Sequence, residues 1–305
     1  MSAVILNAVS LGLLWAVMTA GVFISYRVLG MADLSAEGTI TLGASVAARL
    51  MTLESGAVNP YLATLLAMLA GMLAGAVTGL LHTKLKIPAL LAGILVMTAL
   101  YSVNIRIMGK ATISLLRMDT IFSLAAEATG LEQRLVVLIA GALITALVLW
   151  LLYIFFGTEL GSAIRATGNN DKMIRALGMN TDTAIVLGLM ISNGLISLAG
   201  ALIAQNQSFS DIQMGIGSIV IGLASLIIGE VLFGKRTFGI RLVAIAFGAV
   251  IYRIIIAFVI ELGMEPTDLR LFTAITVAIA LSLPLLKKKI CKKFGRYPVT
   301  EEDLK

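Results

Sequence analysis

The chain of 305 residues has one cysteine, Cys291, and one histidine, His82. A single thiol excludes an intrachain disulfide, and with one imidazole there is no Cys-rich or His-rich metal site to build. Charge is scarce too. Asp, Glu, Lys and Arg make up 13% of the residues, against roughly 25% in soluble globular domains. Proline is limited to five residues and aromatics to 6%, while 59% of the chain is hydrophobic and mean hydropathy is +1.01. A soluble domain cannot bury that much apolar surface, so the composition points to a polytopic membrane protein. The formal net charge of +6 would suit nucleic acid only if it were gathered on one soluble face. Instead the basic residues fall between apolar runs and in the stretch Lys287, Lys288, Lys289, Lys292, Lys293 and Arg296, where an anionic membrane leaflet accounts for them. Nucleic acid is therefore not an expected partner, and Cys291 is assigned no chemistry.

Runs that meet the roughly 20-residue requirement for crossing a bilayer fall at 5–25, 36–51, 60–82, 88–107, 133–156, 183–205, 215–234, 239–261 and 268–286, the second being short. The expected fold is all-α, with about 8–9 transmembrane helices in a membrane domain, 1–286, and a basic cytoplasmic tail, 287–305. The first 26 residues contain no Lys or Arg, so the positive flank of a removable signal is missing and the first run is expected to remain as a span. With nine crossings and the tail inside, 16 of the 23 Lys and Arg residues fall on the inner side. That bias places the N-terminus outside and the C-terminus in the cytoplasm.

Between two long apolar runs lies a polar island, Gly161–Asp182, within a connecting segment taken as 158–182. Its pattern suggests two short helices, the first ending at Gly168 in a left-handed turn and the second running from an Asn170 or Asp171 cap to Gly178. Ile164, Met173, Ile174 and Leu177 would give it one apolar face, with Arg165, Lys172 and Arg175 around it. Such an element suits insertion into a groove of a soluble partner. It equally suits a basic helix lying on lipid head groups.

The run RATGNNDKMIRALGMNTDTAIVLGLMISNGLISLAGALIAQ, Arg165–Gln205, resembles the cytoplasmic loop and following span of permease subunits of bacterial ABC importers of the branched-chain amino acid and ribose type. Tyr26–Ala48 resembles an early segment of the same family. Met97–Leu116 and Asp268–Leu281 resemble the branch paired with lipoprotein-type solute-binding proteins. The resemblance covers most of the chain. It implies that the loop docks on an ABC ATPase subunit, with Arg165, Gly168, Asn169, Met173, Arg175, Gly178 and Asn180 as the coupling positions. It further implies a second permease copy, an extracytoplasmic solute-binding protein, and a bacterial cytoplasmic (inner) membrane location. ATP and Mg²⁺ would belong to the partner, since the nearest phosphate-loop pattern here, Gly229–Lys235, is followed by Arg236 where Ser or Thr is required. No cofactor, metal or covalent chemistry is expected in this chain, and the family branch favours an amino acid over a sugar as the solute.

Membrane-embedded polar residues are candidates for the pathway or its gates. Asp33 and Glu37 lie four apart, a spacing that would put both carboxylates on one helix face, although Asp33 also reads as a cap. Arg253 falls about 18 Å into its span at 1.5 Å per residue and should meet a polar cavity, a second subunit or Glu230. Asn104, Asn193 and Asn206 could line a pathway or bond neighbouring helices. Gly71, Gly75 and Gly79 recur every fourth residue, a small-residue stripe for close helix packing. The alternative reading of the whole is a secondary transporter driven by an ion gradient, which would need carboxylates at the bilayer midplane and inverted repeats.

Overall fold

The computed structural model describes residues 2–53, 58–234 and 237–261, together with the helical positions Leu271, Ile275 and Ala278. Apart from those three positions, the expected span 268–286 and the basic tail lie outside the described residues. So do Lys235 and Arg236 of the phosphate-loop look-alike.

The chain is helical, as its hydropathy requires. Helix α1, Ser2–Phe23, widens into a π-helical turn over Ile24–Val28. After a break come α2, Ser35–Met51; α3, Pro60–Thr83; and α4, Ala89–Met108. Next are a short strand β1, Thr112–Ser114; α5, Ile121–Thr129; and α6, Gln133–Gly157. The polar island forms α7, Glu159–Asn169, and α8, Asp171–Ala176. Then follow α9, Thr181–Gln207; β2, Phe209–Asp211; α10, Ser218–Phe233; and α11, Phe238–Glu261. Six helices among the described residues are long and apolar enough to cross a membrane. Helices α2, with 17 residues, and α10, with 16, are shorter than a full crossing.

Local chemistry fixes the ends. Asn59 caps α3, accepting from the Tyr61 amide at 3.0 Å, with Pro60 in the first turn where its missing N–H does no harm. Thr120 and Ser123 form a reciprocal capping box that starts α5, a helix not foreseen in the sequence. Also unforeseen is the antiparallel pairing of β1 and β2, with Ile113 opposite Ser210. This ribbon closes one end of the bundle, where Ile113, Leu115 and Ile212 pack with Met51 and Met108.

Helix α9 lies at the centre, packed by α1, α2 and α3. The stripe Gly71, Gly75 and Gly79 faces it: a Cβ at Gly75 would overlap the Leu189 carbonyl oxygen, and one at Gly79 would lie 2.9 Å from Val186 Cα. At close helix contacts, side-chain hydroxyls also donate to carbonyls of the neighbouring helix, bonds that lipid cannot supply. Ser197 Oγ donates to the Ala67 carbonyl (2.6 Å), Ser192 Oγ to Gly21 (2.8 Å) and Thr145 Oγ1 to Leu13 (2.8 Å).

The break between α1 and α2 does not lie at the edge of the bundle. Asp33 and Ser35 bond to Asn193, about 18 Å along α9 from Thr181 at 1.5 Å per residue. Helix α2 therefore begins inside the bundle. The turn before α10 approaches the same level, since the Gly217 amide donates to Glu37 in the first turn of α2.

Candidate functional site

At the end of the bundle opposite the strands, α6 gives way to the polar island. Thr158 Oγ1 accepts from the Gly161 amide and starts α7. Asn170 then ends α7 and starts α8 in one residue, its Oδ1 accepting from the Met173 amide at 3.1 Å. Gly178 takes φ +86°, the left-handed turn expected of it. Asn180 Oδ1 accepts from the amides of Asp182 and Thr183 and starts α9.

Gly168 plays another part than the one read from the sequence. It lies within the last turn of α7 and does not terminate it, and a Cβ there would overlap the Val28 carbonyl oxygen. Its value is the close seating of α7 on the π-helical end of α1. Neighbouring Asn169 is exposed and edges the polar clefts on either side of α7. Arg165 helps to seat the same helix, with its guanidinium 5.1 Å from the centre of the Phe238 ring.

The expected single apolar face is split. Ile164 and Ile174 are buried against the bundle, whereas Met173 and Leu177 are 54% and 70% exposed. Each short helix uses one isoleucine as an anchor, and α8 turns its remaining apolar side chains outward. Met179 is exposed as well, as is Lys172. Arg175 ties the loop to the start of α9 by donating to Thr181 Oγ1 (2.7 Å) and Asp182 Oδ1 (3.0 Å). The outcome is a short, braced knob with an apolar tip.

Asp33 and Glu37 do not share a helix face, because Asp33 precedes α2. Its Oδ1 accepts from the Ser35 amide (2.9 Å) and its Oδ2 from Asn193 Nδ2 (2.8 Å), so both oxygens are engaged in a buried Asp33–Ser35–Asn193 cluster. Glu37 instead faces the turn before α10, its Oε1 accepting from the Gly217 amide at 3.0 Å. It shares the wall of a cavity of about 300 Å³ with Asn104. Asn206 lies apart from that cavity, in a polar cleft with Asn7 and Glu132.

Glu230 is not the partner of Arg253. It is held by both Nε (2.8 Å) and Nη2 of Arg27, and by Arg241 at 3.5 Å, in a charge cluster beneath α7 that joins α1, α10 and α11. No sequence pattern marks this cluster: Arg27 and Glu230 are 203 residues apart and meet only in the fold. Nor does Arg253 meet a carboxylate among the described residues. Its guanidinium carbon lies 4.2 Å from the centre of the Trp15 ring on α1.

Residues 4–281 match the model of a family described as the permease component of branched-chain amino acid transport systems. The chain belongs to this permease family. It is thus a multi-pass membrane protein and the permease component of a transport system. A tyrosine transport system permease protein of Clostridioides difficile (strain R20291) is 44% identical over 278 residues, covering 91% of this chain and 90% of the relative. An uncharacterized protein of Rickettsia prowazekii (strain Madrid E) is 34% identical over 283 residues, covering 92% of this chain and 97% of the relative. No solved structure matches the chain at a significant level. Within this permease family member, the knob at α7–α8, the buried polar groups around α2 and the Glu230 cluster are places among the described residues where polar chemistry gathers.

Proposed function

We propose that this chain is the membrane subunit of an ATP-driven ABC importer of the bacterial cytoplasmic membrane, moving an amino acid released by an extracytoplasmic binding protein. The observation that carries the reading is the α7–α8 knob. A polar loop braced by Arg175 and seated through Gly168 presents Met173 and Leu177 to water while its isoleucines hold it to the bundle. That is the form of an element that transmits a push, with an apolar tip for a groove in the ATPase subunit and a stiff stem behind it. ATP and Mg²⁺ would be bound by that partner, and two permease copies would enclose the pathway. The C. difficile relative, called a tyrosine transport permease, supports an amino acid as the solute. Asp33, Glu37, Asn104 and Asn193 are the pathway or gating groups, with the Glu230 cluster joining the knob to α10 and α11.

The test is co-purification of the chain with a candidate ABC ATPase subunit co-expressed with it. Leu177→Glu places a charge on the exposed tip without touching the core, and should lower both co-purification and transport-coupled ATP hydrolysis at least tenfold, equivalent to about 1.4 kcal/mol of lost docking energy. Gly178→Val should weaken coupling while leaving membrane insertion intact, because only the left-handed turn is strained. Unchanged co-purification of both variants, with weaker lipid association instead, would assign α8 to the lipid surface and overturn the docking reading.

A further inference from the structure

The cavity of about 300 Å³ that holds Glu37 and Asn104 is walled by α2, α4 and the turn between β2 and α10. Its size is at the small end of small-molecule sites, which run from roughly 300 to 1,000 Å³. Met97, Tyr101, Ile212 and Ile216 supply the apolar wall, and Glu37, Thr41, Thr98 and Asn104 the polar one. No Lys, Arg or His is among the lining residues.

Three donors are already committed: one N–H of Asn104 Nδ2 donates to the Gly38 carbonyl (3.1 Å), Thr41 Oγ1 to the Glu37 carbonyl (3.2 Å) and Thr98 Oγ1 to the Ile94 carbonyl (2.8 Å). Glu37 and Asn104 Oδ1 leave acceptor capacity for a guest. The side chain of Asn104 is almost fully buried, and its Oδ1 has no hydrogen-bond partner among the described residues. An orphaned buried acceptor of this kind calls for an occupant. One oxygen of Glu37 is fixed by the Gly217 amide at 3.0 Å, and no described residue hydrogen-bonds the other. The turn that fixes it is seated tightly, since a Cβ at Gly215 would overlap the Glu37 carbonyl and Thr41 Oγ1.

A carboxylate facing lipid is disfavoured by several kcal/mol, which favours the pathway over lipid as what the cavity faces. We propose that it is a station for the primary ammonium group of the solute. Glu37 supplies the counter-charge, Asn104 Oδ1 accepts one N–H, and Met97, Tyr101, Ile212 and Ile216 receive the solute's apolar part. The proposal rests on the amino-acid importer reading, and adds which end of the solute this chain recognises.

Glu37→Gln is the informative variant, because the amide oxygen can still accept from Gly217 while the charge is lost. In cells carrying the full transporter with Cys291→Ser, a Thr98→Cys probe should react about tenfold faster with a cationic than with an anionic methanethiosulfonate, the order of effect of one nearby charge at a protein surface. Adding Glu37→Gln should bring the two rates to within about twofold. L-tyrosine and tyramine, which both carry the ammonium, should slow labelling; 4-hydroxyphenylpropionate, which lacks it, should not. An unlabelled probe, a preference that survives Glu37→Gln, or equal protection by the deaminated compound would overturn the site.

Uptake of labelled amino acids in the same cells separates the two levels. Protection by tyramine without uptake of any amino acid keeps the station and removes the amino-acid reading. Uptake that is unaltered by Glu37→Gln, with unaltered labelling, removes the station and keeps the importer.

Discussion

Arg253 shows how one residue can satisfy a membrane constraint in a way that spacing does not reveal. Its guanidinium has no acidic neighbour and its Nε has no hydrogen-bond partner among the described residues, but it lies 4.2 Å from the centre of the Trp15 ring. An indole face accepts a cation where water is excluded, and such contacts contribute about 0.5–2 kcal/mol. The expected outcome is therefore coupling between Trp15→Leu and Arg253→Leu, measured by thermal unfolding in detergent as a double-mutant cycle of that size. Strictly additive effects would mean the stacking contributes nothing. The place of Arg253 within a long apolar helix was legible from sequence, because it follows from position within an apolar run. Its partner was not, because Trp15 is distant in the chain. The two loop glycines divide in the same way. Gly178 is legible because a left-handed residue is a local requirement. Gly168 has an ordinary helical place, and its need to lack a side chain comes from Val28, brought against it only by the fold.

Among the elements, α3 and α9 are bound by the nearness of their backbones, and lipid offers no hydrophobic drive to replace it. Gly75 lies where a Cβ would overlap the Leu189 carbonyl oxygen. Gly75→Ala should lower stability by about 1–3 kcal/mol, the usual effect of overfilling a tight contact, and Gly75→Leu should lower the folded yield further. The measurement is detergent-solubilised yield and melting temperature beside Leu73→Ala, an exposed position on the same helix; equal melting temperatures would mean that α3 shifts to accommodate the methyl. This stripe was readable because its period is that of a helix. The beginning of α2 within the bundle was not, since an apolar run records where lipid is tolerated and not the depth at which a helix starts. The strands β1 and β2 escaped notice for a simpler reason: three residues each are too few for an alternation to register.

For the whole molecule, orientation decides whether the two polar regions can serve one transport cycle. The α7–α8 knob and the β1–β2 ribbon lie at opposite ends of α9, which begins at Thr181 and ends at Gln207 beside Phe209 of β2. At 1.5 Å per residue its 27 residues span about 40 Å, the thickness of a bilayer with its head groups. The two ends must then face opposite compartments. The proposed importer puts the knob end, with Lys84, Lys86, Arg165, Lys172, Arg175 and Arg241, in the cytoplasm, the side toward which such residues are biased. A Lys172→Cys probe in a Cys291→Ser chain should resist a membrane-impermeant maleimide added to intact cells and react once they are permeabilised. Leu116→Cys, 81% exposed just beyond β1, should react in intact cells. Labelling of Lys172→Cys from outside would put the knob beyond the reach of any cytoplasmic ATPase, and the importer reading would fail with it. The reverse pattern places the ribbon and the Glu37 cavity on the side from which a binding protein delivers, so that solute enters next to its station and the push arrives from the other end.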